Sequence, residues 1–180
     1  MSSEAFHIRD YHFSSSDALL VDANVWLYLY GPQEPEDWRA KVYSQALKWI
    51  LKARSTMFVD VLVLSEFVNR YSRLEFGIWT RRSGTYEFKQ YRKHPDFAPV
   101  AAAIAAALRS IIKQARPIDT GIESMDMNSF LNDYATKRPD FHDQVIVELC
   151  RRNGLKLLTH DGDFKDSGIP VITANKRLLA

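Results

Sequence analysis

Four acidic residues, scattered through the chain, each stand beside a short apolar run. Asp22 follows Ala18-Leu-Leu-Val21, and Glu66 follows Val61-Leu-Val-Leu64. Asp143 precedes Val145-Ile-Val147, and Asp161 lies just past Leu157-Leu-Thr159. A run of about four apolar residues marks a buried strand or an inward helix face. A carboxylate at the edge of such a run is costly to desolvate unless a cation or hydrogen bonds compensate it. Four that converged would form a pocket of hard oxygen donors suited to a divalent cation.

The elements that must position these acids alternate between strand and helix. Ala18 to Val21 reads as a central strand, and Val25 to Tyr30 as a helix stopped by Gly31-Pro32. A helix is expected over 36–52, with Trp38, Val42, Ala46, Trp49 and Ile50 on its periodic face. Met57 to Val59 is a short strand, followed by a helix over Val61–Phe76 that carries Glu66. Pro99 to Ala115 is an Ala-rich helix; Val100, Ile104, Leu108 and Ile111 mark its core face. Its Ala101–Ala107 stretch reads as a close-packing surface and a candidate dimer contact. Pro117-Ile118 is a candidate strand and Glu123–Thr136 a helix. Pro139 is placed to open the next helix, which Gly154 ends. Lys156–Thr159 and Pro170–Thr173 are the closing strands.

Short apolar strands alternating with helices imply βαβ crossovers and a mostly parallel central sheet flanked by helices, an α/β fold. Ligands in open α/β sheets bind beyond the carboxyl ends of the strands. Asp22 and Asp161 follow their strands, and Asp143 sits near a helix start, which faces the same edge. Glu66, shortly after the Met57–Val59 strand, is the expected fourth.

Composition narrows the class. With 180 residues, 46% of them apolar, the chain fits one ordinary domain with a sizeable core. The net charge of +2 carries no global argument for nucleic acid. Cys150 is the single cysteine, which excludes an internal disulfide and a thiolate zinc cluster and fits a reducing cytoplasm. No unbroken run reaches the roughly 18–20 apolar residues of a membrane span, and residues 1–16 are polar, a flexible lead-in without a signal-peptide core. The histidines at 7, 12, 94, 142 and 160 share no zinc-like spacing; His142 and His160, beside candidate ligands, are expected in solvent or supporting roles.

Several motifs together resemble PIN-domain ribonucleases, the VapC-type toxins among them. Val21-Asp-Ala-Asn-Val25 is similar to the opening Asp-x-Asn motif of that family, and Leu64-Ser-Glu66 to its helical Glu. Phe141-His-Asp-Gln-Val-Ile146 resembles the helix-borne third acid. Lys156-Leu-Leu-Thr-His-Asp-Gly-Asp-Phe164 resembles the closing strand-then-Thr-x-Asp-x-Asp-Phe signature. The likeness runs over residues 18–173, in a domain spanning 17–180. It implies metal-assisted phosphodiester hydrolysis on Mg²⁺ or Mn²⁺, with Asp22, Glu66, Asp143 and Asp161 as catalytic ligands. Asn24 and Thr159 would orient ligands, waters or phosphate, and Asp163 would be an auxiliary ligand. Asp140 is either a second auxiliary on the Asp143 helical face or an acid that stabilises the helix start. The resemblance further implies an RNA substrate, a small antitoxin partner and a homodimer away from any membrane. The long segment before residue 18 and the enlarged centre depart from compact toxins.

An insertion at about 77–95 is basic and aromatic. Arg70 to Lys93 holds seven Lys and Arg against two Glu, interleaved with aromatic rings. Basic side chains track phosphates and aromatics stack unpaired bases, so Arg81, Arg82, Lys89, Arg92 and Lys93 are candidate RNA contacts. A solvated flap packed by its own aromatics is the alternative. Other functions remain open at this level: RNA processing, a structure-specific DNA nuclease, or a catalytically silent scaffold acting by protein or RNA binding. A haloacid-dehalogenase-type phosphatase would need an Asp where Asn24 stands.

Overall fold

Six short strands run parallel in the order β1-β6-β5-β2-β3-β4. They belong to a computed structural model that describes residues 4–32, 37–84, 86–137 and 140–179. The strands are β1 Ala5–His7, β2 Ala18–Val21, β3 Thr56–Val59, β4 Ala115–Pro117, β5 Lys156–Leu158 and β6 Val171–Thr173. Among the described residues the helices are α1 Ala23–Tyr30, α2 Trp38–Ala53, α3 Val61–Ser83, α4 Phe88–Tyr91, α5 Phe97–Gln114, α6 Met127–Lys137 and α7 Phe141–Asn153. This is a single α/β domain, as the alternation of strands and helices predicts.

The order of the strands creates the site. From β2 the chain steps outward to β3 and β4, then returns to lay β5 against the other flank of β2. Leu20 pairs with Phe58 on one side and with Leu157 on the other. The order therefore reverses beside β2, and a crevice opens there beyond the carboxyl ends of the strands. Leu19, Leu20, Val21, Leu157, Leu158, Val171 and Ile172 are all buried, as strands covered on both faces require. Trp26 and Ile146 bring α1 and α7 into the same core.

Several boundaries differ from expectation. The lead-in carries β1, which pairs with β6 from Ala5↔Val171 to His7↔Thr173. Ile8, just beyond it, is fully buried. Helix α3 does not stop at Phe76 but runs through an exposed Gly77 to Ser83, where Arg81 and Arg82 complement the helix dipole and Gly84 (φ 89°) ends it. Helix α2 begins at Trp38 with Asp37 as its N-cap; the expected start at 36 lies outside the described residues, as does Pro139. Helix α7 starts from an Asp140 N-cap. The expected helix over 123–136 is a 3₁₀ turn, Ile122–Ser124, followed by α6.

Helix α5 is the one described helix long and apolar enough, by composition, to cross a membrane. It buries Ile104, Ala107 and Ile111, while Arg109 and Ile112 are exposed. At the amino edge of the sheet, buried Asp17 accepts hydrogen bonds from Lys156 Nζ (2.5 Å), Tyr11 Oη (2.7 Å) and Ser14 N (2.8 Å). That cluster ties the segment before β2 to the start of β5.

Candidate active site

Asp22 ends β2 and caps α1. One carboxylate oxygen accepts from Ala23 N at 2.6 Å. The other takes the Asn24 amide at 2.5 Å and the Thr159 hydroxyl at 2.6 Å. The residue is 5% exposed. One oxygen thus serves as a helix cap, while the other reaches across to Thr159, just past the end of β5.

Thr159, fully buried past the end of β5, binds the strand ends together. Besides donating to Asp22, it accepts from Asn24 Nδ2 (3.0 Å) and Asp161 N (3.0 Å). Asn24 Oδ1 in turn accepts from His160 N at 3.0 Å. Asp22, Asn24, Thr159 and Asp161 are thus one hydrogen-bonded set. Asp161 caps the 3₁₀ turn Gly162–Phe164 by accepting from Asp163 N at 3.1 Å.

Glu66 and Asp143 approach from two helices and meet at a histidine. Glu66 lies in the second turn of α3, where Arg70 Nη1 holds its Oε1 at 2.9 Å. Asp143 lies in the first turn of α7. His142 Nδ1 stands 3.5 Å from Glu66 Oε2 and 3.9 Å from Asp143 Oδ1. His142 Nε2 is buried with no hydrogen-bond partner among the described residues.

Residues 19–170 match the PIN domain family. The chain belongs to that family. PIN domains are generally nucleases. The fold of this PIN domain is similar to the crystal structure of VapBC2 from Rickettsia felis bound to a DNA fragment from their promoter. That likeness has TM-score 0.52 and 13% identity, and covers 87% of this chain and 98% of that one. It is also similar to PAE2754 from Pyrobaculum aerophilum, at TM-score 0.48 and 18% identity, covering 91% and 95% of the two chains. No curated protein matches.

The electrostatics of this PIN domain follow from crowding acids at a dry strand end. Burial raises the Asp22 carboxyl to about 6, and the charges of Glu66 and Asp161 push the same way against the Thr159 and Ala23 hydrogen bonds. The His142 imidazole is raised chiefly by its bond to Asp143, with Glu66 and Asp22 adding to it against its burial. The His160 imidazole is lowered by burial and by Arg39. Glu66, Asp143 and Asp161 therefore all act on one neighbourhood with Asp22, directly or through His142.

The donor chemistry suits a hard divalent cation. Asp22 retains lone-pair capacity beyond its three bonds, and no Lys or Arg is bonded to it among the described residues. Carboxylate, amide and hydroxyl oxygens are the ligands such an ion prefers. Among the described residues, no three His, Cys, Asp or Glu side chains are gathered tightly enough to form a ready-made metal cage.

The remaining candidates are placed less centrally. Asp140 caps α7, accepting from His142 N at 2.8 Å, so its helix-start role is seen directly. Asp140, exposed Asp163 and Asp143 line a hollow of about 650 Å³ that also takes in Asp126, Asp133 and Asp166. Arg81, Arg82, Lys89, Arg92 and Lys93 are exposed. They begin fifteen residues beyond Glu66 along α3 and α4, about 22 Å along the helix axis. The rings among them are spent on one another: Trp79 lies 4.9 Å from both Tyr86 and Tyr91, and Phe76 lies 5.5 Å from Phe88 and Tyr91.

Sequence reasoning missed two supports of the site. Tyr43 donates to Thr159 O at 3.0 Å and accepts from Ala174 N at 3.2 Å. Asn175 Nδ2 donates to His160 O at 2.8 Å. Asn175 stands two residues past the apolar β6, the same polar-after-strand signal that marks Asp22. Asp60 repeats that signal after β3, but it is spent on Val63 N (2.8 Å) and Thr120 Oγ1 (3.0 Å).

Proposed function

We propose that this PIN domain is a metal-dependent endoribonuclease and the toxin member of a toxin–antitoxin pair. The observation that carries the reading is the Asp22–Asn24–Thr159–Asp161 set at the switch point of the sheet, with Glu66 and Asp143 facing it around His142. Asp22, Glu66, Asp143 and Asp161 would hold Mg²⁺ or Mn²⁺. When bound, such an ion supplies a water of lowered pKa and neutralises charge on the phosphate.

The chain's own residues do the rest. Asn24 and Thr159 fix the rotamer of Asp22 and keep its oxygens pointed past the strand end. Arg70 holds Oε1 of Glu66 in place. Asp163 and Asp140 stand at the margin of the same acidic hollow as outer ligands or water anchors. The cations Arg81, Arg82, Lys89, Arg92 and Lys93 would take RNA phosphates well outside the cleavage centre.

The toxin assignment and the partner rest on likeness. The VapBC2 neighbour is described with promoter DNA bound, which supports an antitoxin partner for a chain of this fold. The exposed α5 surface at Ala101, Ala102, Ala103 and Ala106 would serve a homodimer.

The test is cleavage of single-stranded RNA by wild type and by Asp22→Asn, with Mg²⁺, Mn²⁺ and chelator. Metal-dependent cleavage that Asp22→Asn abolishes, with its circular-dichroism spectrum unchanged, supports the reading. Undiminished cleavage by that variant overturns the mechanism. Growth arrest on expression, relieved by a small protein encoded beside this chain, tests the toxin role; no arrest by an active enzyme would overturn it.

A further inference from the structure

A second hollow is lined by His160, the residue before Asp161. It encloses about 350 Å³ between Trp38, His160 and Asn175, with Arg9, Lys176 and His7 at its rim. That volume is at the small end for ligand sites, suited to one planar ring system rather than a large molecule. Among the described residues, neither Arg9 nor Lys176 has a carboxylate partner, whereas the nearby His7 is paired with Asp10 at 3.2 Å.

The ring system of this hollow is open, unlike that of the basic segment. Trp38 opens α2 and is 52% exposed. Its ring centroid is 5.6 Å from the His160 ring, with the planes at 69°. His160 is held from every side. Its backbone N–H goes to Asn24, its carbonyl accepts from Asn175, and its Nδ1 is 3.0 Å from Tyr43 Oη. Tyr28 and Tyr43 meet it edge-on at 5.7 Å. A fixed wall and an exposed indole inclined to it make a platform for a planar ring. His160 immediately precedes Asp161, and its N–H is bonded to the Asn24 that holds Asp22. The hollow is thus joined to the acid set through His160.

We propose that this hollow is a subsite for one unpaired nucleotide of a single-stranded nucleic acid. Its base stacks on Trp38 against the edge of His160, and its flanking phosphates are taken by Arg9 and Lys176. The ligand chemistry combines a π-face, which stacking on an aromatic side chain recognises without regard to base identity, with anionic links that free cations attract. The inference rests on the nuclease reading for its choice of ligand. It adds to that reading a stacked position for one base, which a base held in a duplex cannot take.

Binding separates the two ideas, because it is measured without cleavage. A labelled oligouridylate is titrated by fluorescence anisotropy in chelator against wild type, Trp38→Ala, Trp38→Phe and Arg9→Ala/Lys176→Ala. Duplex RNA serves as the comparison ligand. Trp38→Ala should weaken single-strand binding about tenfold, the scale of one lost stack, while Trp38→Phe retains most of it. The double variant should lower the salt dependence of binding by about one unit of slope. Unchanged affinity in Trp38→Ala, or equal loss for duplex and single strand, would overturn the subsite. If wild type binds through Trp38 yet cleaves no RNA with Mg²⁺, the subsite stands and the nuclease reading fails. If wild type cleaves and Trp38→Ala matches it in affinity and KM, the nuclease reading stands and the subsite fails. Thermal denaturation and the Trp38→Phe rescue separate a local effect from misfolding.

Discussion

The Thr159 hydroxyl donates to Asp22 Oδ2 at 2.6 Å, joining the ends of β5 and β2 across 137 residues of sequence. Thr159 Oγ1 also accepts from Asn24 Nδ2 and from the Asp161 backbone N–H, so one buried side chain ties down three other residues.

Replacing that hydroxyl tests the relationship. Thr159→Val should cost about 1–3 kcal/mol of stability, because it leaves Asn24 Nδ2 and Asp161 N–H short of an acceptor. It should also weaken metal affinity by about 10–100-fold, the usual effect of losing a group that orients ligands. The Mg²⁺ concentration for half-maximal cleavage, measured beside the melting temperature, checks both, and Thr159→Ser should restore most of each.

Asp22 is a liability to the metal-free fold. Its folded-state pKa of about 6 lies above the ordinary 3.8. The folded protein thus holds that proton more tightly than the unfolded chain does. The penalty for the bare carboxylate is absent below about pH 4, grows as pH rises from there, and is complete above about 6. Asp22→Asn should therefore stabilise the metal-free protein at pH 8 by up to about 3 kcal/mol, and by little at pH 4. Melting temperatures in chelator at the two pH values decide it. Equal or lower stability of Asp22→Asn at pH 8 would contradict the electrostatic account.

The Asp17 cluster at the far end of the sheet should behave in the opposite sense. The Lys156, Tyr11 and Ser14 hydrogen bonds hold the Asp17 carboxyl below its usual range despite its burial. Asp17 raises Lys156 in turn. The carboxylate contribution is present above about pH 4 and lost as pH falls below it. The lysine contribution is present below about pH 10 and lost above it. Asp17→Asn should cost about 2–3 kcal/mol across that plateau, less than a fully buried pair would, because Lys156 is about one third exposed. Chemical denaturation at pH 7 measures the loss, and cleavage per folded molecule should be unchanged.

The exposed cations at the end of α3 make a separate test. Neutralising Arg81 and Arg82 together should weaken RNA binding and flatten its salt dependence by about one to two units of slope. An unchanged slope would leave the aromatic cluster of this segment with a packing role alone.

Much of this protein can be read along the chain. Runs such as Ala18–Val21 and Leu157-Leu158 announce strands because a buried parallel strand needs unbroken apolar character. Asp140 can be read as a helix-start acid because a cap acts on a backbone N–H two residues away. The four acids stand out for the same local reason, a charge beside a run that must be buried. Strand β1 does not stand out, since three residues carry no period and its pairing with β6 is wholly non-local. Nor does the length of α3, because an exposed Gly77 lowers helix propensity without breaking a helix that packs elsewhere.

What no local pattern contains is which strands become neighbours. The insertion of β5 beside β2 puts Thr159 against Asp22 and sets His160 beside Trp38 and Tyr28, while the packing of α7 near α3 brings His142, with its neighbour Asp143, to Glu66. It also demotes Asp60, which follows its strand as Asp22 does but spends its oxygens on a cap and on Thr120. Residue types and their immediate neighbours decide what a side chain can do. Its partners follow from the packing of the whole core, where burial of one strand order over another is a sum over the entire molecule.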